Sequence, residues 1–180
     1  MLFISTPFSR LAVDRLVKFK VPAFKIGSGE CNNYPLIEYI ASHKKPIILS
    51  TGMNTINSIK PSVKIFEKYK IPYALMHCTN IYPTPTKLIR LQAITELKKA
   101  FPKAILGLSD HSKSVYPCIG AIALGASIVE KHFVDKKNRI GPDISASMDR
   151  SELKILLKAA NDVYIAKGNY KGPVKEENST

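Results

Sequence analysis

The chain has no tryptophan, only three cysteines, and far fewer acidic than basic residues, 14 Asp plus Glu against 27 Lys plus Arg. Cys31, Cys78 and Cys118 are odd in number and widely separated, and no C-x-x-C pair is present to hold zinc or shuttle electrons. Reduced thiols are the simplest reading, and a cytoplasmic location follows as the expectation. No apolar run approaches the length of a membrane span, so no membrane partner is expected. The opening MLFISTPFSR has a short apolar run without a basic stretch before it, which is not the pattern of a secretory leader. The scarcity of acid leaves a formal net charge of +13, a balance that would suit a polyanion. The lysines, however, are spread along predicted helix faces at Lys60, Lys64, Lys68, Lys98, Lys99, Lys154 and Lys158, without a basic run interleaved with aromatics. Nucleic acid is therefore not expected as a partner. A solvated basic surface that concentrates a small anion is.

What is present is a repeat. Short β-branched or apolar runs recur at 2–5 (LFIS), 23–27 (AFKIG), 46–50 (PIILS), 73–78 (YALMHC), 104–109 (AILGLS) and 126–133 (ASIVEKHF), each with the look of a buried parallel strand. Between them lie helical periodicities such as Ile59, Val63, Phe66 and Tyr69, or Ala93, Ile94, Leu97 and Phe101. Val21-Pro22 and Ile71-Pro72 mark strand entry, because proline ends a helix and extends the residue before it. Polar residues cluster where each run ends, at Ser5-Thr6, Gly27 to Glu30, Ser50 to Gly52, Cys78 to Asn80, Ser109 to His111 and Glu130 to His132. In a (β/α)₈ TIM barrel those positions face the active-site mouth. The expected fold class is therefore α/β, an incomplete TIM barrel with about six of eight βα units. The 180 residues, 45% of them hydrophobic, allow one core, where such a barrel needs roughly 250 residues.

Lys25 interrupts an apolar strand, so its ammonium must find an anion or a polar cavity, or else snorkel to water at the strand mouth. Gly27-Ser28-Gly29 lets backbone approach a ligand and offers amide and hydroxyl donors to an oxyanion. His111 and His132 end adjacent strands, which puts two imidazoles within reach of one metal ion, while strand-end hydrogen bonding explains them equally well. His43 is assigned to a surface connection and His77 to the barrel layers or a neighbour. The loop Asn80-Ile81-Tyr82-Pro83-Thr84-Pro85 is stiffened by its prolines and presents Asn80 and Tyr82 either for sugar recognition or as a plain connector. Asp143, in Gly141-Pro142-Asp143, is placed to bind sugar hydroxyls.

Taken together, FISTPFSR (3–10), KIGSGECNNYPLI (25–37), PIILSTGMN (46–54), HCTNIYPTP (77–85), GLSDHS (107–112), ALGASIVEKHF (123–133) and GPDISASM (141–148) resemble, in order, the motifs of the N-acetylneuraminate (sialic acid) synthase family, which includes the legionaminate and pseudaminate synthases. The resemblance implies a barrel followed by an antifreeze-like domain, a homodimer, and a divalent ion, Mn²⁺ first with Mg²⁺ or Co²⁺ as substitutes. It implies condensation of phosphoenolpyruvate with an N-acylated amino sugar to a nonulosonic acid plus phosphate. Carried over by position, Lys25 and Glu30 are catalytic; Thr6, Ser28, Ser50, Asn80, Tyr82, Ser109 and Asp143 bind substrate; His111 and His132 hold the metal. Lys25 is then an electrostatic clamp and not a Schiff-base amine. ECNN and GPD look more like the neuraminate and legionaminate branches than the pseudaminate one. The expected organisation is a partial barrel domain over 1–168 and a polar tail over 169–180, with the family's first strands and its antifreeze-like domain absent. The alternatives are an inactive truncated remnant, a legionaminate synthase, or a class I aldolase using Lys25 as an amine nucleophile.

Overall fold

A computed structural model describes residues 1–168, so the tail expected over 169–180 lies outside the described residues. The elements alternate as α1 (Arg10–Lys18), β1 (Phe24–Ile26), α2 (Tyr34–Ser42), β2 (Ile47–Ser50), α3 (Ile56–Tyr69), β3 (Tyr73–Cys78), α4 (Ala93–Ala100), β4 (Ile105–Asp110), α5 (Tyr116–Ala123), β5 (Ile128–Lys131) and α6 (Arg150–Ala166). The strands form one five-stranded sheet in the order β1-β2-β3-β4-β5, with every neighbouring pair parallel. This is a half-barrel of βα units. No helix among the described residues is long and apolar enough to cross a membrane.

The six strands expected are corrected to five. Residues 2–5 contribute a single parallel bridge, Ser5 to Phe24, through the Lys25 amide donating to the Ser5 carbonyl at 3.2 Å. Leu2 and Phe3 stay 77% and 62% exposed, so the run lacks the cover that makes an apolar segment settle as a buried strand.

Three αβ turns are built alike. Lys20, Lys44 and Lys70 each take the left-handed conformation (φ 55°, 54° and 54°) just past a helix, and a proline follows two residues on at Pro22, Pro46 and Pro72. A left-handed residue closes the helix carbonyls and the proline forbids continuation. Carbonyls of two of these prolines then begin the ladder: Phe24 donates to Pro46 at 3.0 Å and Ile47 to Pro72 at 3.1 Å. Helix starts are set by side chains, Ser9 for α1, Asn33 for α2, and full capping boxes of Thr55 with Ser58 for α3 and Asp149 with Glu152 for α6.

The strands alternate with period two. Phe24, Ile26, Ile47, Leu49, Leu75 and Leu108 are at most 1% exposed and meet Ile37, Ile40, Phe66 and Ile94 of the helices in one core. The other face carries Lys25, Ile48, Ser50, Met76, Cys78, Gly107, Ser109, Ile128 and Glu130, the register partners of one another across the sheet. Gly107 is required there, since a Cβ would lie 2.2 Å from Met76 Sδ and 2.7 Å from the Ile128 carbonyl. His43, expected on a surface connection, is half-buried at the end of α2 with its ring 5.3 Å from Tyr39 and 6.3 Å from Phe24. Replacing the fully buried Phe66 by alanine is expected to cost about 3–5 kcal/mol in chemical denaturation, with the slope of the transition unchanged.

Candidate functional site

The polar face gathers its chemistry at the C-terminal ends of the strands. Lys25 Nζ donates to Ser50 Oγ at 2.7 Å and pairs with Glu130 Oε2 at 3.2 Å, with side-chain exposures of 14% and 45% respectively. This pair crosses the open sheet from β1 to β5 along the wall of a cleft of about 570 Å³, lined also by Thr6, Phe8, Ile48, Met76 and Ile128. The lysine thus finds its anion within the protein and does not snorkel.

Beside it, Ser28, Gly52, Asn54 and Asn80 interlock. Ser28 Oγ accepts from the Gly52 amide at 3.0 Å, and Asn54 Nδ2 donates to the carbonyls of Ser28 and Gly52 at 3.1 and 2.8 Å. A Cβ on Gly52 would sit 2.3 Å from Asn80 Oδ1 and 2.9 Å from Ser28 Oγ, so glycine at 52 is what lets three strand ends converge. Gly27 and Gly29 face open space, so the tight approach expected at that pair belongs to Gly52. Cys78 Sγ donates to Asn80 Oδ1 at 3.0 Å, and burial pushes its thiol up, outweighing Ser28, Ser109 and Lys25.

The second part of the site is aromatic. His111 and His132 have ring centroids 5.5 Å apart, and Tyr82 stacks on His111 at 3.9 Å and meets His132 edge-on at 5.7 Å. His111 Nδ1 lies 3.0 Å from the Thr79 carbonyl, which accepts only, so Nδ1 donates and Nε2 keeps the lone pair. Tyr82 Oη, 2.9 Å away, is then the donor to Nε2. Burial drives the Tyr82 phenol up to about 12 and the His111 imidazole down. The loop carrying Tyr82 contains a cis Tyr82-Pro83 bond and is tied back by the Thr84 amide to the His111 carbonyl at 2.9 Å. Its stiffness rests on Thr84 as well as on the prolines: Thr84 Oγ1 donates to the carbonyls of Ile81 at 2.6 Å and Thr79 at 3.2 Å. A small cavity of about 120 Å³ joins Ser109, His111, Glu130 and His132.

Two sequence-predicted residues stand apart. Glu30 lies in a 3₁₀ turn and accepts from Asn33 Nδ2 at 2.6 Å. Asp143, left-handed at φ 60°, is exposed at the start of the 3₁₀ turn Ile144–Ala146, its charge reaching Tyr82 only as a minor influence on the phenol. His77 turns away from the site, buried among the helices with Nε2 2.6 Å from the Ile89 carbonyl. Sequence reasoning placed Glu130 and Gly52 at strand ends without giving them a role, and it missed Asn54. Glu130 carries the same signal as Lys25, a charge at an inward position of an apolar strand. Gly52 and Asn54 have no signal short of the packing itself.

The donor set suits a borderline divalent ion in part: two imidazoles on neighbouring strand ends, one with its tautomer set by Thr79. No group of three or more His, Cys, Asp or Glu side chains that could hold a metal occurs among the described residues.

Fold and site together define a parallel α/β half-barrel with a cation-and-hydroxyl cleft beside an imidazole pair. The NeuB family profile matches residues 1–172, and the chain belongs to that family. It is 40% identical over 170 residues to N,N'-diacetyllegionaminic acid synthase of Campylobacter jejuni, covering 93% of this chain and 51% of that protein. It is 39% identical over 158 residues to N-acetylneuraminate-9-phosphate synthase of Drosophila melanogaster, covering 87% and 42% respectively. The crystal structure of an N-acetylneuraminic acid (sialic acid) synthetase from Leptospira borgpetersenii superimposes with a TM-score of 0.94 at 33% identity, over 99% of this chain and 63% of that one. The chain spans about half the length of the curated relatives it matches.

Burial pushes the His77 imidazole below its ordinary 6.5, against a smaller opposing effect of the Ile89 carbonyl. The unfolded chain therefore takes up this proton first as pH falls. The stability contributed by neutral His77 is full above about pH 6.5 and is lost progressively below it. Urea midpoints measured at pH 7.5 and 5.5 are expected to drop on acidification, and His77→Gln to reduce that drop; an identical drop in the variant rules the residue out.

Proposed function

We propose that this chain carries the phosphoenolpyruvate-binding and metal-binding part of a nonulosonic acid synthase, a C–C bond-forming transferase of carbohydrate biosynthesis. Its second substrate is an N-acylated amino sugar, N-acetylmannosamine or a 6-deoxy-di-N-acetyl relative. The observation that carries this reading is Lys25, held 2.7 Å from Ser50 and 3.2 Å from Glu130 in the wall of a cleft of about 570 Å³. Membership of the NeuB family and the synthases among its relatives support it.

In this reading the Lys25 ammonium clamps the phosphate or carboxylate of phosphoenolpyruvate, exchanging the half-exposed Glu130 for the incoming anion. Thr6, Ser28, Ser50, Asn80 and Ser109 supply hydrogen bonds from successive strand ends. C3 of phosphoenolpyruvate attacks the aldehyde carbon of the open-chain sugar and forms the new C–C bond. Water then adds at C2, and the C–O bond to phosphate breaks. Tyr82 leaves His111 Nε2 to hold or act on the sugar; Glu30 and Asp143, which stand apart from the cleft, are assigned to the sugar by the family resemblance alone. His111 and His132 would hold Mn²⁺, or Mg²⁺ or Co²⁺ in its place, which when bound supplies Lewis-acid polarisation of the aldehyde. The full-length assembly in this reading is a cytoplasmic homodimer. An amine engaged by a carboxylate and a hydroxyl is a point charge, which speaks against an aldolase-type Schiff base.

The alternative reading is binding without turnover. Calorimetric titration with phosphoenolpyruvate separates the cases. The parent chain is expected to bind, and Lys25→Met to weaken binding by roughly tenfold or more, the loss of one charge-assisted contact. Equal binding by parent and variant, or none by either, sinks the proposal. Phosphate release with N-acetylmannosamine and Mn²⁺ then distinguishes a working synthase from a binder.

A further inference from the structure

Asp110 and Lys131 form an ion pair that the chemistry proposed above leaves unused. Lys131 Nζ lies 2.6 Å from Asp110 Oδ2, and both side chains are 1% exposed, the lowest values of any ion pair among the described residues. Every polar atom of the pair is engaged. Lys131 also donates to the Ser112 carbonyl at 2.6 Å; Asp110 accepts from Ser112 Oγ at 2.8 Å, from the Ser112 amide at 3.2 Å and from Cys118 Sγ of α5 at 3.7 Å. Burying two charges is costly, and such a pair is a poor source of stability compared with apolar packing. What it does well is specify one geometry.

The geometry in question is the register of β4 against β5. Asp110 and Lys131 are direct register partners, and each immediately precedes a histidine, so His111 and His132 are the next pair along. Successive strand residues point to opposite faces. The ion pair therefore lies on the helix side and the imidazoles on the cleft side. β5 is an edge strand among the described residues, held through its four-residue ladder to β4 alone. A slip of one residue would turn His132 to the wrong face. In the observed register Lys131 Nζ meets both Asp110 and the Ser112 carbonyl, each at 2.6 Å.

We infer that Asp110 and Lys131 are positioning residues: their buried pair locks β5 in register and thereby sets the His111–His132 separation needed to hold a divalent ion. The inference rests on the reading of those histidines as the metal site. Mn²⁺ binding to the full 180-residue chain, followed by the loss of the free-ion electron paramagnetic resonance signal, tests it. The double variant Asp110→Asn, Lys131→Met removes both charges together, and its Mn²⁺ affinity is expected to fall roughly tenfold to a hundredfold. Leu16→Ala in α1, a core truncation remote from the pair, is expected to lower the unfolding midpoint while leaving Mn²⁺ affinity intact. A folded double variant that binds Mn²⁺ within about twofold of the parent overturns the inference. If the double variant does not fold, Asp110→Glu, which keeps the charge but lengthens the arm, is read by the same criterion. His111→Ala separates the two levels of the argument. Its loss of Mn²⁺ binding upholds the histidine site whatever the double variant does. Undiminished binding removes that site and this inference with it.

Discussion

Everything at the site depends on the period-two alternation of strands paired in parallel register. With Phe24, Ile26, Ile47, Leu49, Leu75 and Leu108 driven toward the helices by burial, the residues between them are forced to the other face. Lys25 occupies that face because its neighbours Phe24 and Ile26 are apolar, and Ser50, Cys78, Ser109 and Glu130 share it through the register of the strands. The cleft is thus a by-product of the core, and its polar groups need no separate folding instruction.

Electrostatics completes the division. Glu130 and Lys131 are consecutive in β5 and carry opposite charges to opposite faces. The Glu130 arm meets Lys25 and is 45% exposed; the Lys131 arm meets Asp110 and is 1% exposed. A pair whose carboxylate is half-exposed is worth little and is readily exchanged, which suits the anion binding proposed for the cleft. A buried pair cannot be exchanged without stranding a charge, which suits a fixed register. One short strand thus supplies a replaceable contact and a permanent one.

The loop beyond β3 shows how local chemistry and distant contacts combine. Its prolines restrict the backbone, but the direction of Tyr82 is set by Thr84, whose amide bonds to the His111 carbonyl from the next strand. Thr79 fixes the His111 tautomer from the same loop. Tyr82, His111 and His132 are therefore a single aromatic unit assembled from three segments.

The sequence by itself determined the βα repeat, the polar strand ends and the placing of Lys25 inside an apolar strand, because apolar periodicity and a charge within it are local facts. It also placed His111 and His132 on adjacent strands. It overcounted the strands, since residues 2–5 are as apolar as a strand but find a neighbour only at Ser5. Tertiary structure alone decided that Lys25 meets Glu130, 105 positions later in the chain, that Gly52 must be small because Asn80 and Ser28 crowd it, and that Glu30 and Asp143 lie apart. Those outcomes depend on strand register and on which loops meet. Register is fixed by side-chain contacts between segments remote in sequence, and no local pattern encodes them.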